Sequence, residues 1–198
     1  MEVKTLGILL FDEFELLDVT GPVEMFGALP DKIKLVFIAE EKKLIRSTQS
    51  LSVMPDTDIN HVANLNYLLV PGGKGTRTLI YHQVLLNWIK EQANKVELLL
   101  SVCTGAALLA KAGVLDHRKA TSNKLAFEWV KEQGPKTNWI RQARWVDDGN
   151  IITSSGVAAG IDMSLYVIAR LFGQEMRDHA ARKTEYQHSE NPENDPFA

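Results

Sequence analysis

Two kinds of hydrophobic pattern alternate along this chain. Short continuous apolar runs recur at Thr5 to Phe11 (TLGILLF), Lys34 to Ala39 (KLVFIA), Tyr67 to Val70 (YLLV) and Glu97 to Val102 (ELLLSV). Runs of this length, apolar on both faces, predict parallel strands covered by helices. Between them lie segments with helical spacing. Gly21-Pro22 opens one over VEMFGAL, with Thr20 as N-cap and Pro22 in the first turn. Residues 83–94 form another. Gly105 to Ala112 is helix-forming and ends at Gly113, a suitable C-cap residue. Residues 123–133 predict an amphipathic helix with Phe127 and Trp129 inward, and helices are expected over 157–172 and 174–187. Residues 43–53 alternate loosely, as in an edge ribbon. Asp147-Asp148-Gly149-Asn150 predicts a hairpin turn between strands over 143–146 and 150–153. The rhythm is that of an α/β fold with a mostly parallel sheet. Residues 1–188 read as one domain, and 189–198 (SENPENDPFA) as an irregular C-terminal tail.

Composition narrows the function classes. The 198 residues carry a net charge of −3, with basic residues scattered, so neither a nucleic-acid stripe nor a basic membrane-surface helix is expected. No apolar run approaches the length of a membrane span, and the first residues carry no cleavage-site pattern. A single cysteine forms no internal disulfide, which fits a reducing cytoplasm and removes most thiolate metal sites. The five histidines (His61, His82, His117, His179 and His188) show no metal-ligand spacing and read as surface or packing residues. Trp88, Trp129, Trp139 and Trp145 read as core or dimer contacts. No metal and no cofactor is implied.

Ligands of open parallel sheets sit beyond the carboxyl ends of the strands. Three segments fall there: Phe11 to Asp18, Pro71-Gly72-Gly73 and Val102-Cys103-Thr104. Cys103, between a buried strand and a helix, occupies a nucleophile-elbow position. The following helix N-terminus is expected to favour its thiolate and to supply N–H groups for an oxyanion. The alternative is a buried structural cysteine. Gly72 and Gly73 either bring a backbone N–H to a substrate atom opposite Cys103 or simply make a tight turn. Asp18, hemmed in by Leu16, Leu17 and Val19, is either a desolvated carboxylic acid or a capping residue. Thr153 to Gly156 either borders the pocket or only caps a helix, with Asp162 then facing solvent.

Together these segments resemble the ThiJ/PfpI superfamily, of the class I glutamine amidotransferase-like group. ILLFDEFELLDVTGP, LLVPGG, LLLSVCTGAALLAKAGVL and GNIITSSGVAAGIDMSLYVIARLFG carry the resemblance in order, through to EYQ…DPF. It implies a flavodoxin-like three-layer sandwich with a nucleophile elbow, and a homodimer. LDVTGP with SVCTGA is most similar to isonitrile hydratases, which implies a small-molecule isonitrile hydrated to an N-substituted formamide. By that resemblance Cys103 is the nucleophile, Asp18 the facing carboxylic acid, and Thr104 the residue after the nucleophile. The backbone N–H groups of Gly73 and Thr104 are then the oxyanion donors, with Gly72 beside them. Two departures stand out: Thr104 occupies the place of a histidine in peptidase-like members, and Asn123 that of a histidine in many hydratases. The same resemblance leaves open a glyoxalase- or amidase-type cysteine enzyme, or a cysteine redox sensor.

Overall fold

The computed structural model describes residues 2–198. In chain order the elements of the first half are β1 (Lys4–Leu9), α1 (Leu16–Gly27), β2 (Ile33–Ala39), β3 (Ile45–Arg46), β4 (Ser52–Val53), β5 (Thr57–Asp58), β6 (Tyr67–Val70), α2 (Thr76–Leu79), α3 (Gln83–Ala93) and β7 (Leu98–Ser101). The second half supplies α4 (Gly105–Lys111), β8 (Lys119–Ala120), α5 (Phe127–Gln133), β9 (Asn138–Trp139), β10 (Trp145–Asp147), β11 (Ile151–Ser154), α6 (Ala159–Phe172) and α7 (Gln174–Lys183).

Seven strands form the main sheet in the order β10-β11-β7-β6-β1-β2-β5, parallel throughout except for the β10–β11 hairpin. All four residues of β6, of β7 and of β11 are buried, because helices cover both faces. α1 packs with α6 and α7, while α4 packs with α2, α3 and α5, giving the three layers of a flavodoxin-like fold. From β1 the chain passes outward to β2 and then returns to β6 on the other flank. That reversal puts a crevice beyond the carboxyl ends of β1 and β6, with β7 alongside.

The apolar runs become the central strands as expected, and 43–53 becomes the antiparallel β3–β4 ribbon. The first helix departs from expectation. It begins at Leu16, so Pro22 lies inside it, and Thr20 donates to the Leu16 carbonyl at 3.0 Å instead of capping. The buried stripe of Val19, Pro22, Met25 and Phe26 holds the helix together across the proline. Gly21 is required there: a Cβ would lie 2.7 Å from Ile161 of α6. Helix α5 starts four residues later than expected, and α7 ends four earlier. The two-residue strands β5, β8 and β9 and the one-turn α2 carry too few apolar positions to announce themselves in sequence. Trp88 and Trp145 are buried, and Trp139 donates its indole N–H to the Gly134 carbonyl at 2.9 Å.

Asp162, expected to face solvent if residues 153–156 serve only as a cap, is instead buried in α6. Its Oδ2 accepts from the Arg144 Nε at 2.6 Å, and its Oδ1 accepts from the Tyr186 hydroxyl and the Ser189 N–H. Residues 189–198 have no regular structure but are docked: the Arg144 N–H donates to Pro192 O at 2.7 Å, and the Asp195 N–H to Gln142 O at 2.8 Å.

Candidate active site

Cys103 leaves β7 with φ of +55°, a left-handed conformation that a non-glycine residue rarely adopts. The surroundings hold it there. Its N–H donates to Ser155 O at 3.0 Å, and its carbonyl accepts from Ser122 Oγ at 2.7 Å. Gly105 permits the sharp exit, since a Cβ there would lie 2.2 Å from the Val70 carbonyl oxygen. The elbow expected from sequence is therefore present, held by hydrogen bonds to Ser155 and Ser122.

Asp18 sits in the first turn of α1 and is fully buried. Its Oδ2 accepts from the Gly72 N–H at 2.8 Å, while Oδ1 has no hydrogen-bond partner in the chain. The carboxyl lies against the Cys103 thiol, close enough for each group to perturb the other. Burial drives the Asp18 pKa from its usual 3.8 up to about 7, partly opposed by the Gly72 N–H and the Cys103 contact. Burial also pushes the Cys103 thiol above its usual range, and the Asp18 charge adds to this. The N–H groups of Thr104 and Val157 and the Thr104 hydroxyl favour the thiolate, but they do not overcome desolvation. The thiolate-favouring helix N-terminus expected from sequence is opposed here, since α4 is only seven residues long and burial of the sulfur acts against the charged form. The two groups form a coupled pair of buried acids, each holding its proton more tightly than it would in water.

Gly72 and Gly73 do more than turn the chain. A Cβ on Gly72 would lie 2.5 Å from the Thr104 nitrogen and 2.8 Å from Asp18 Oδ2. Gly73 has φ of +131°, and a Cβ there would meet the backbone of Glu13 and Glu15. Its N–H donates to Thr104 Oγ1 at 3.0 Å, and Thr76 Oγ1 lies 3.1 Å from the same oxygen. Thr104 therefore bridges the β6 and β7 loops, and the Gly73 N–H is already engaged. The sequence did not point to Val157. Its N–H contacts the Cys103 sulfur from the turn before α6, and its φ of +42° is unusual for a β-branched residue. The serine pair of Ser154-Ser155-Gly156 was the only hint of that turn's place in the site.

Asn123 stands beside this turn. Its Oδ1 accepts from the Ala126 N–H at 3.0 Å, which turns Nδ2 onto Gly156. None of the five histidines lies in these loops. Among the described residues, no group of three His, Cys, Asp or Glu side chains is placed to hold a metal ion.

The family model described as DJ-1/PfpI family matches residues 4–170. This chain belongs to the DJ-1/PfpI family. Within the family, it is 30% identical over 181 residues to the isonitrile hydratase of Pseudomonas putida, covering 91% of this chain and 78% of that protein. The crystal structure of a ThiJ/PfpI family protein from Pseudomonas syringae matches with a TM-score of 0.87 at 28% identity, over 96% of this chain and 77% of the other. Drosophila melanogaster DJ-1beta matches with a TM-score of 0.83 at 20% identity, over 94% of this chain and all of that one, a likeness of fold. No helix among the described residues is long and apolar enough to cross a membrane.

Proposed function

We propose that this protein hydrates isonitriles to N-substituted formamides, with Cys103 as nucleophile and Asp18 as proton carrier. The observation that carries this reading is the buried Asp18 carboxyl set against the only cysteine, with one oxygen free. The 30% identity to an isonitrile hydratase over most of the chain supports the choice of substrate.

Ionised Asp18 takes the thiol proton as the Cys103 sulfur attacks the terminal isonitrile carbon. That carbon carries a lone pair, and protonated Asp18 returns the proton to it. The product is a thioimidate, R–N=CH–S–Cys103. Water then adds to the same carbon, the nitrogen gains a proton, and collapse of the adduct expels Cys103 and releases the formamide. A carboxyl poised near neutrality can both take the thiol proton and return it to the isonitrile carbon, as the two transfers require. The Gly72 N–H orients Asp18. The N–H groups of Thr104 and Val157 stabilise negative charge on sulfur as it is expelled. The Gly73 N–H would act on charge directly only by releasing Thr104 Oγ1.

A peroxide sensor is less well supported. Sensor cysteines depend on an exposed, low-pKa thiolate, whereas this thiol is buried and shifted upward. A homodimer belongs to the proposal, and sedimentation should give twice the 22.1 kDa chain mass. The functional test is formamide formation from a simple alkyl isonitrile, followed by NMR. Turnover in the natural chain and loss of at least about a thousandfold in Cys103→Ala is the expected result. Equal turnover in the two would remove Cys103 from the reaction.

A further inference from the structure

Residues 189–198 dock on the 142–144 and 121–124 segments, and their attachment is specific. Asp195 is buried, and its Oδ2 lies 3.7 Å from Lys124 Nζ, whose side chain is also buried. Lys124 Nζ donates to Thr121 Oγ1 at 2.9 Å and to Ala143 O at 2.8 Å. Ser122, between these two residues, holds the Cys103 carbonyl. The docked segment, the 121–124 loop and the elbow therefore form one connected unit.

Two residues beyond Asp195, Phe197 is 77% exposed, and Leu125, next to Lys124, is fully exposed. Both border a cavity of about 470 Å³ whose floor includes Val157 and Ala158. Ser155, which also lines this cavity, accepts the Cys103 N–H at 3.0 Å, so the cavity lies next to the elbow, although the Cys103 side chain is not part of its lining. Its polar members are Asn123, Lys124, Arg141 and Ser155. A mostly apolar hollow with a few fixed polar groups beside a reactive atom is the usual form of a small-molecule site. Two large exposed apolar side chains at its rim have no packing role within the chain.

We propose that residues 189–198 form a wall of the substrate site, in which Phe197, together with Leu125, selects the substituent on the isonitrile nitrogen for apolar bulk. Asp195 is then a positioning residue, acting through Lys124 to hold Phe197 over the cavity. The assignment rests on the isonitrile reading for the identity of the substrate but not for the place of the cavity.

Wild type, Phe197→Ala, Phe197→Leu and Asp195→Asn are compared with benzyl and methyl isonitrile. The readout is the ratio of kcat/KM for benzyl to that for methyl. Binding of N-benzylformamide by calorimetry provides a second readout that needs no turnover. Loss of the ring in Phe197→Ala is expected to lower the ratio about tenfold, mainly through KM, and to weaken N-benzylformamide about tenfold. Phe197→Leu should recover most of both, and Asp195→Asn should move both in the same direction by less. A Phe197→Ala ratio and affinity within twofold of wild type overturn the proposal. So does a shift in the dimer equilibrium with the ratio unmoved, which would make this face a contact with a second copy. Phe197-dependent binding of N-benzylformamide without turnover of either isonitrile would keep the cavity and reject the reaction. Turnover with a Phe197-independent ratio would keep the reaction and reject the cavity.

Discussion

Replacing Asp18 by Asn isolates the ionisation of the buried carboxyl. The amide keeps the shape and an acceptor for the Gly72 N–H, but it cannot ionise. The folded-state pKa of Asp18 is raised from 3.8 to about 7, chiefly by burial. A raised carboxyl pKa means that the folded state binds the proton more tightly than the unfolded chain. Its contribution to stability is therefore fully present below about pH 4 and is lost as pH climbs through about 7. The full displacement corresponds to about 4 kcal/mol, with no solvent discount because the side chain is fully buried. At about 2–4 °C per kcal/mol for a domain of this size, the melting temperature of Asp18→Asn relative to wild type should rise by about 10 °C from pH 4 to pH 8. Any constant offset from the substitution itself cancels in that slope. Differential scanning fluorimetry across this range measures it. Melting curves that stay parallel at all pH values would refute the buried, proton-holding carboxyl.

The same pair sets the pH dependence of activity. If ionised Asp18 accepts the thiol proton, kcat/KM for an isonitrile should rise through an apparent pKa near 7 belonging to the Asp18–Cys103 pair, and that limb should vanish in Asp18→Asn. Gly72→Ala would press on the Thr104 nitrogen and Asp18 Oδ2, so turnover should fall about a hundredfold in steady-state assays while the protein still folds. Thr104→Val removes the acceptor for the Gly73 N–H; it should cost about 1–3 kcal/mol in urea unfolding, and Thr104→Ser should restore most of the loss. Asp162→Ala leaves the largely buried Arg144 guanidinium without its partner, and a loss of about 3 kcal/mol is expected by the same titration.

The fold was legible because both faces of its central strands are covered. β1, β6 and β7 read as uninterrupted apolar runs, and their order with the intervening helices leaves few topologies. The start of α1 was not, because Gly21-Pro22 looks like an entry signal; only packing against α6 shows why a proline is tolerated seven residues into the helix. At the site, Cys103, Asp18, Gly72, Gly73 and Thr104 were all identifiable, and the chain brings them together. The desolvated Asp18 carboxyl was one of two readings its apolar neighbours allowed, and burial selects it. The Cys103 side was less legible: a helix N-terminus following it argues for a thiolate, and only the structure shows the burial beside a second acid that acts against it. Val157 carried no chemical signal, since it contributes a backbone N–H from a turn some fifty residues away. Phe197 and Asp195 lay in a polar, proline-containing stretch that reads as loose chain, and their docking depends on Lys124, Gln142 and Arg144.

In the proposed reaction the isonitrile adds covalently to Cys103 while Asp18 moves the proton. Intact-mass spectrometry of enzyme quenched in acid during turnover tests it most directly. Wild type should gain the full mass of the isonitrile, mapped to the peptide containing Cys103, with the gain absent in Cys103→Ser and strongly reduced in Asp18→Asn. Formamide production with no adduct at Cys103 under single-turnover quenching, or an adduct unaffected by Asp18→Asn, would contradict it.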